Sequence, residues 1–166
     1  GTFVEVSAGY GSTCGINSSN QLRCWDTVDG NVTVPVVGEF TDVSVAGDHG
    51  CAIDASQKVQ CWGEDGWGET SAPSGNFVDI STDTFHTCAL DTSGSIQCWG
   101  LGEDPSTDED GEQGYDDVDQ ASPPTGSFVQ LSVGEYVSCA LDASGQIECW
   151  GLEGGSLLRP LVPTLP

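Results

Sequence analysis

Eight cysteines form the most regular chemical feature of the chain. They fall into four pairs, Cys14/Cys24, Cys51/Cys61, Cys88/Cys98 and Cys139/Cys149, and every pair has the same separation of ten residues. Thiols spaced in this way either form disulfides or hold zinc. Zinc ribbons need cysteines closer together than this, and the chain offers only two histidines to complete a ligand set. Disulfides are therefore expected, and eight paired cysteines imply an oxidising compartment, outside the cell or on its surface.

A second candidate is ionic. Between Gly102 and Asp119 stand nine acids, and Ser106-Thr-Asp108-Glu-Asp110-Gly111 sets oxygen ligands at alternate positions before a glycine, with Asp117 in twelfth place. That spacing opens a calcium loop, with Asp108, Asp110 and Asp117 as carboxylate ligands and Ser106 in the first position. Calcium is the one cofactor this sequence suggests. Against it, Asp117 is shorter than the usual bidentate glutamate, and Gln113 stands where an apolar residue normally anchors the loop; the competing reading is a solvated acidic loop. Two glycosylation sequons, Asn17-Ser-Ser19 and Asn31-Val-Thr33, fit an extracellular address.

Catalytic chemistry finds little support. His49 and His86 each stand two residues before the first cysteine of a pair, but Ser12 and Val137 fill that position elsewhere, which points to a structural role. There is no Gly-x-Ser-x-Gly elbow, and every cysteine is committed. No catalytic residue is assigned, and a non-enzymatic protein is expected. Trp67 has no counterpart at the same spacing from the other cysteine pairs and is either a binding aromatic or packing at the edge of a structural unit.

The elements that position these residues are repeats. Gly-x-Phe recurs at Gly1/Phe3, Gly38/Phe40, Gly75/Phe77 and Gly126/Phe128, and a tryptophan follows every second cysteine, at Trp25, Trp62, Trp99 and Trp150. The repeats span 1–37, 38–74, 75–125 with the acidic insertion 102–119, and 126–154, followed by a Pro-containing tail 155–166. Each reads as three short strands. The first alternates with period two, as in Phe128-Val-Gln-Leu-Ser-Val133, and the other two form a hairpin. Asp91 can cap the hairpin turn, and Gly94 supplies its left-handed residue; Asn17/Asn20 and Asp142/Gly145 are the counterparts. Gln57 holds that left-handed place in repeat two, so this tip should be the most strained.

The turn also sets the cysteine register. If Asp91 and Ser95 close the loop, Leu90 faces Ile96, and Cys88 faces Cys98 as a non-hydrogen-bonded pair with α-carbons about 4.5 Å apart, close enough for a disulfide. Each hairpin is then stapled within its own repeat. The opposite hairpin face is small, at Gly15, Ala52, Ala89 and Ala140, which lets a neighbouring repeat come close. No single repeat has enough apolar surface to stand alone, so stacking supplies the core.

Composition limits the partners. There are 26 acidic residues and three basic ones, for a net charge of −23. That balance opposes nucleic acid and anionic membrane surfaces, and no apolar run is long enough to insert in a membrane. The 23 glycines oppose an all-helical fold. Methionine is absent, position 1 included, which implies a processed or excised chain.

The run His86-Thr-Cys-Ala-Leu-Asp-Thr-Ser-Gly-Ser-Ile-Gln-Cys-Trp-Gly100, with Pro-x-Gly-x-Phe opening repeats three and four, resembles the regulator-of-chromosome-condensation repeat superfamily. It is most similar to the short-repeat secreted branch, which includes a propeller-type β-lactamase-inhibitory protein. The resemblance implies an all-β, propeller-like array of four three-stranded blades. It does not extend to the nuclear exchange-factor role of the namesake, which the acidity and the disulfides oppose. Two functions are expected: a secreted or surface module binding a protein or glycan through loops at one end of the blades, or a structural subunit assembling with copies of itself. For the second, the exposed end faces should use Val4, Val6, Ile16 and Leu22 in repeat one, matched by Val129, Leu131, Leu141 and Ile147 in repeat four.

Overall fold

A computed structural model describes residues 1–26, 30–32, 34, 36–101 and 119–151. Blade one comprises β1 (Phe3–Ala8), β2 (Ser12–Asn17), β3 (Leu22–Asp26) and β4 (Gly30–Val32). Blade two comprises β5 (Phe40–Val45), β6 (His49–Asp54) and β7 (Val59–Gly63), and blade three β8 (Phe77–Thr82), β9 (His86–Asp91) and β10 (Ile96–Gly100). Blade four comprises β11 (Phe128–Gly134), β12 (Val137–Asp142) and β13 (Ile147–Gly151). Every blade is an antiparallel sheet ordered as in the sequence, so the all-β blade array holds.

The hairpin register is the one the turn chemistry requires. In blade three Leu90 opposes Ile96 and Cys88 opposes Cys98. All four disulfides join cysteines of one hairpin, with α-carbons 4.0–4.1 Å apart. The tips share one device: Oδ1 of Asn17, Asp54, Asp91 and Asp142 accepts the backbone N–H two and four residues on. The left-handed residue follows, with φ near 60° at Asn20 and Gln57 and near 85° at Gly94 and Gly145. Gln57 thus adopts the conformation that disfavours a side chain, as its place in the repeat foretold.

Blade one departs from three strands, because β4 folds back on β3 with Asp26 opposite Gly30. The other blades carry glycine after the tryptophan (Gly63, Gly100, Gly151), at φ of 102–105°. A Cβ there would meet the carbonyl oxygen of Asp48, Phe85 or Tyr136. This glycine steers the chain away from the sheet. Asp26 lacks that freedom, and its strand continues into a further hairpin.

The core lies between blades, in three layers. Cys14, Ile16 and Cys24 of blade one pack against Phe40, Val43, Val45 and Ala52 of blade two. The next layer sets Cys51 and Ile53 against Phe77, Ile80, Ala89 and Trp99, and the last sets Cys88, Leu90 and Ile96 against Phe128, Leu131, Ala140 and Trp150. Ala52 and Ala89 are fully buried, as the small hairpin face requires for close approach. Each blade therefore presents its Cys/Leu face forward and its Phe/Trp face backward.

This polarity corrects the expected end faces. Ile16 and Leu131 are buried in internal joins, and Leu22 packs against one. Val4 and Val129 occupy a position that is exposed in every blade, Val78 included, and belong to no join. The bare residues are Phe3 and Val6 at one end and Ile147 with half-buried Leu141 at the other.

Candidate binding site at the loop end of the blades

Two polar systems tie the blades together. Along the inner strands, Glu5 Oε1 and Ser7 Oγ accept the N–H groups of Val43 and Val45 at 3.3 and 3.0 Å. Asp42 and Ser44 do the same for Ile80 and Thr82, and Asp79 and Ser81 for Leu131 and Val133, all at 2.9–3.0 Å. This stacks three carboxylates side by side. Burial first, then a shared hydrogen bond with Glu5 and the charges of Glu5 and Asp79, push the Asp42 carboxyl up to about 8. Burial likewise raises Asp79.

The second system contains both histidines. His86 Nε2 lies 2.8 Å from Ser138 Oγ, and Ser138 donates to the Gln120 carbonyl at 3.1 Å. His49 lies 3.0 Å from Thr87 Oγ1, which donates to the Glu69 carbonyl at 3.2 Å. Those carbonyls also accept the indole N–H of Trp150 and Trp99. Because each hydroxyl proton is committed to a carbonyl, the hydrogen-bond network assigns the proton on each histidine to Nε2. His86 Nδ1 is then buried without a partner. The Ser138–His86 pair has the separation of a nucleophile and its base, but both residues are fully buried and bolt blade three to blade four. Burial, then the charge of His49, lowers His86 to about 4.

These shifts set a pH dependence. Asp42, raised on folding, contributes stability that is present below its ordinary value of 3.8 and lost as pH rises through about 8. His86, depressed on folding, contributes stability that is present above 6.5 and lost as pH falls through about 4. Below pH 6.5 the two effects oppose each other; above it the His86 contribution is complete while that of Asp42 is still being lost. Stability should therefore fall between pH 6.5 and about 8, by on the order of 1 kcal/mol. Asp42→Asn keeps an acceptor for Ile80 and should abolish the fall, as thermal melts at pH 6 and 8.5 would show; an unchanged wild-type melt would contradict this.

The loop end carries the exposed chemistry. Glu64 N–H donates to the Asp48 carbonyl, and Leu101 N–H to that of Phe85, so the segments after β7 and β10 lie against the turns preceding β6 and β9. Between them opens a cleft of about 190 Å³ lined by Asp48, Glu64, Trp67, Glu69, Thr84 and Phe85, with His49 and Gly66. Trp67 is 58% exposed, which leaves part of its indole open to a partner. Buried Glu69 holds the loop by accepting the Trp67 N–H at 2.7 Å. Phe85 stacks on Tyr136 of the next blade, and Tyr10 is exposed. The cleft is smaller than a metabolite pocket and suits a single side chain. No lysine or arginine lines it. Lys58 is held at a hairpin tip by Gly75 and Asn76, and Arg23 lies on β3.

Other sequence candidates fall elsewhere. Ser106, Asp108, Asp110 and Asp117 lie outside the described residues; Asp119, with φ of 60°, fills the place of Gly68. Among the described residues no group of three or more His, Cys, Asp or Glu side chains is placed to hold a metal. Asn17 stands at its hairpin tip, where Oδ1 caps the turn and Nδ2 donates to Gln21. Asn31 lies on β4, opposite Trp25. Sequence reasoning missed the carboxylate ladder, although Glu5, Asp42, Asp79 and Gln130 share one repeat position, two residues after the phenylalanine.

No protein-family model matches the chain, and no curated protein does. Solved structures do. The CRINKLY WD40 ectodomain of the Arabidopsis thaliana receptor kinase ACR4 aligns with a TM-score of 0.64 at 24% identity, over 89% of this chain and 49% of that one. The entire ectodomain of the Physcomitrella patens receptor kinase CR4 aligns at 0.70 and 22%, over 99% of this chain and 49% of that one. Prp20p of Saccharomyces cerevisiae, the yeast RCC1, aligns at 0.68 and 15%, over 90% and 45%. The chain thus spans about half the length of these neighbours. The resemblance read from the His86–Gly100 motif holds at the level of fold: the chain has the blade architecture of RCC1-type repeat propellers.

Proposed function

We propose that the chain is a non-enzymatic, extracellular protein-interaction module whose loop end captures a basic segment of a partner. The observation that carries this reading is exposed Trp67 in a one-side-chain cleft with Asp48, Glu64 and Glu69 and no cation. A lysine or arginine over an indole face gains cation–π attraction, and the carboxylates add charge complementarity. The net charge of −23 steers such a partner from a distance. Four disulfides and the two receptor-kinase ectodomain neighbours support an extracellular setting. The Prp20p structure is described with that protein's binding to Gsp1p and histones, which supports protein recognition on this fold.

The test is titration of an arginine- and lysine-rich peptide into the chain, with a neutral oligosaccharide as comparator. Peptide binding should weaken about tenfold from low to moderate salt, and Trp67→Ala should weaken it at least tenfold. Peptide binding indifferent to Trp67, or binding of the oligosaccharide alone, would overturn the reading.

A further inference from the structure

The three internal joins are built from the same parts, and the two outer faces of the array hold the two unmatched halves of a fourth. At each internal join a forward-facing layer of cysteine and Ile or Leu covers the next blade's Phe, Val or Ile, and small residue. Three backbone donors of the next blade are also satisfied. The phenylalanine N–H (Phe40, Phe77, Phe128) donates to the carbonyl of the left-handed tip residue (Asn20, Gln57, Gly94) at 2.8–2.9 Å. The other two N–H groups meet the acid and serine of the inner strand.

Among the described residues, none covers the accepting half on blade four. Ile147 is 45% exposed, and Leu141 and Cys139 are half-buried where Leu90 and Cys88 are buried. Gln130 and Ser132 are exposed, whereas Asp79 and Ser81 at the same positions are half-buried under the next blade. Blade one presents the donating half: Phe3 is 45% and Val6 67% exposed, where Phe40 and Val43 are 1% and 4%.

We propose that these faces join one copy of this chain to a second, head to tail. The occupant follows from continuity with the internal joins: only a blade of this repeat carries both the apolar layer and the three donors at the right spacing. In the join, Gly145 O accepts the Phe3 N–H of the second copy, and Gln130 and Ser132 accept its Val6 and Ala8 N–H groups. Gln130 adds what the internal acids lack. It lands between Asp79 of its own chain and Glu5 of the next, and its neutral amide can donate to Glu5, whereas Asp42 must be protonated to do so. Such contact between unlike faces is heterologous and closes when the rotation allows. Two copies that each give one face of each kind to the other close as a dimer. Both copies are strongly acidic, so association strengthens with salt.

Sedimentation equilibrium of the 166-residue chain across a salt series tests this, with Val6→Asp and Ile147→Asp as variants. Both positions are exposed, so the fold is retained, which near-ultraviolet circular dichroism checks in each sample. Wild type should form a dimer that tightens at least tenfold as salt is raised. Each variant alone should be monomeric, because every join needs one face of each kind. An equimolar mixture of the two should recover a dimer, from one Val6→Asp chain giving its intact blade-four face to one Ile147→Asp chain. A wild-type monomer at every salt would mean that another segment covers the faces, and would overturn the proposal. So would a dimer of Ile147→Asp alone, which would place like faces together, or a mixture that stays monomeric. None of these outcomes depends on the basic-peptide reading.

Discussion

Reducing all four disulfides should unfold the chain at room temperature. Each bond closes a ten-residue separation, which constrains the unfolded chain by roughly 2–3 kcal/mol on the loop-entropy account. Their combined contribution is comparable with the whole stability of a domain, about 5–15 kcal/mol. The apolar core cannot compensate, because it is divided into three thin layers with cysteine sulfur in each. Circular dichroism during denaturant titration, with and without a phosphine reductant, checks this; a cooperative transition with unchanged midpoint after full reduction would contradict it. The bonds should also differ. Replacing Cys88 and Cys98 should cost more than replacing Cys139 and Cys149, since Cys88 is fully buried against blade four and Cys139 lies at an outer face.

Gly100→Ala should destabilise the protein by about 3–5 kcal/mol, among the largest effects of any single substitution here. Two causes combine. The backbone sits at φ of 102°, a region that side chains rarely adopt. An added Cβ would also lie 2.6 Å from the Phe85 carbonyl oxygen and 2.9 Å from the His86 Cα, and backbone cannot swing aside as a flexible side chain can. The damage would fall where β10 meets the turn before β9, loosening both the Phe85 side of the cleft and the His86 bolt. Gly11→Ala is the control, because a Cβ there meets nothing within 4 Å, and it should be nearly neutral. Equal chemical-denaturation midpoints for the two variants would contradict this account.

What was legible in the sequence was whatever repeats with the chain. Gly-x-Phe, the cysteine spacing and the Asx-type tip gave strand order, register and disulfide pairing, because turn geometry and the two-residue strand period leave little choice once the tip is fixed. The end faces were misjudged because a strand's alternation tells which residues share a side, not which side meets a neighbour. Val4 and Val6 stand on one face of β1 by period, yet a register shift between Phe3 and Glu5 changes which of them faces the join. The cleft was less legible still. Trp67 was visible as an exception, but its setting comes from Glu69, whose side chain holds the loop while its carbonyl takes the Thr87 and Trp99 protons. A backbone acceptor has no sequence signature. The carboxylate ladder was hidden differently: an acid on a strand reads as a solvated residue until the neighbouring blade brings a second and a third beside it.

The blade joins, the stacked carboxylates and the cleft all depend on one hairpin register held through four repeats. Peptide mapping of the unreduced protein tests that register most directly. Four cystine peptides are expected, pairing Cys14 with Cys24, Cys51 with Cys61, Cys88 with Cys98 and Cys139 with Cys149, and no free thiol. A bond between repeats, such as Cys24 with Cys51, or a substantial free-thiol titre would contradict it.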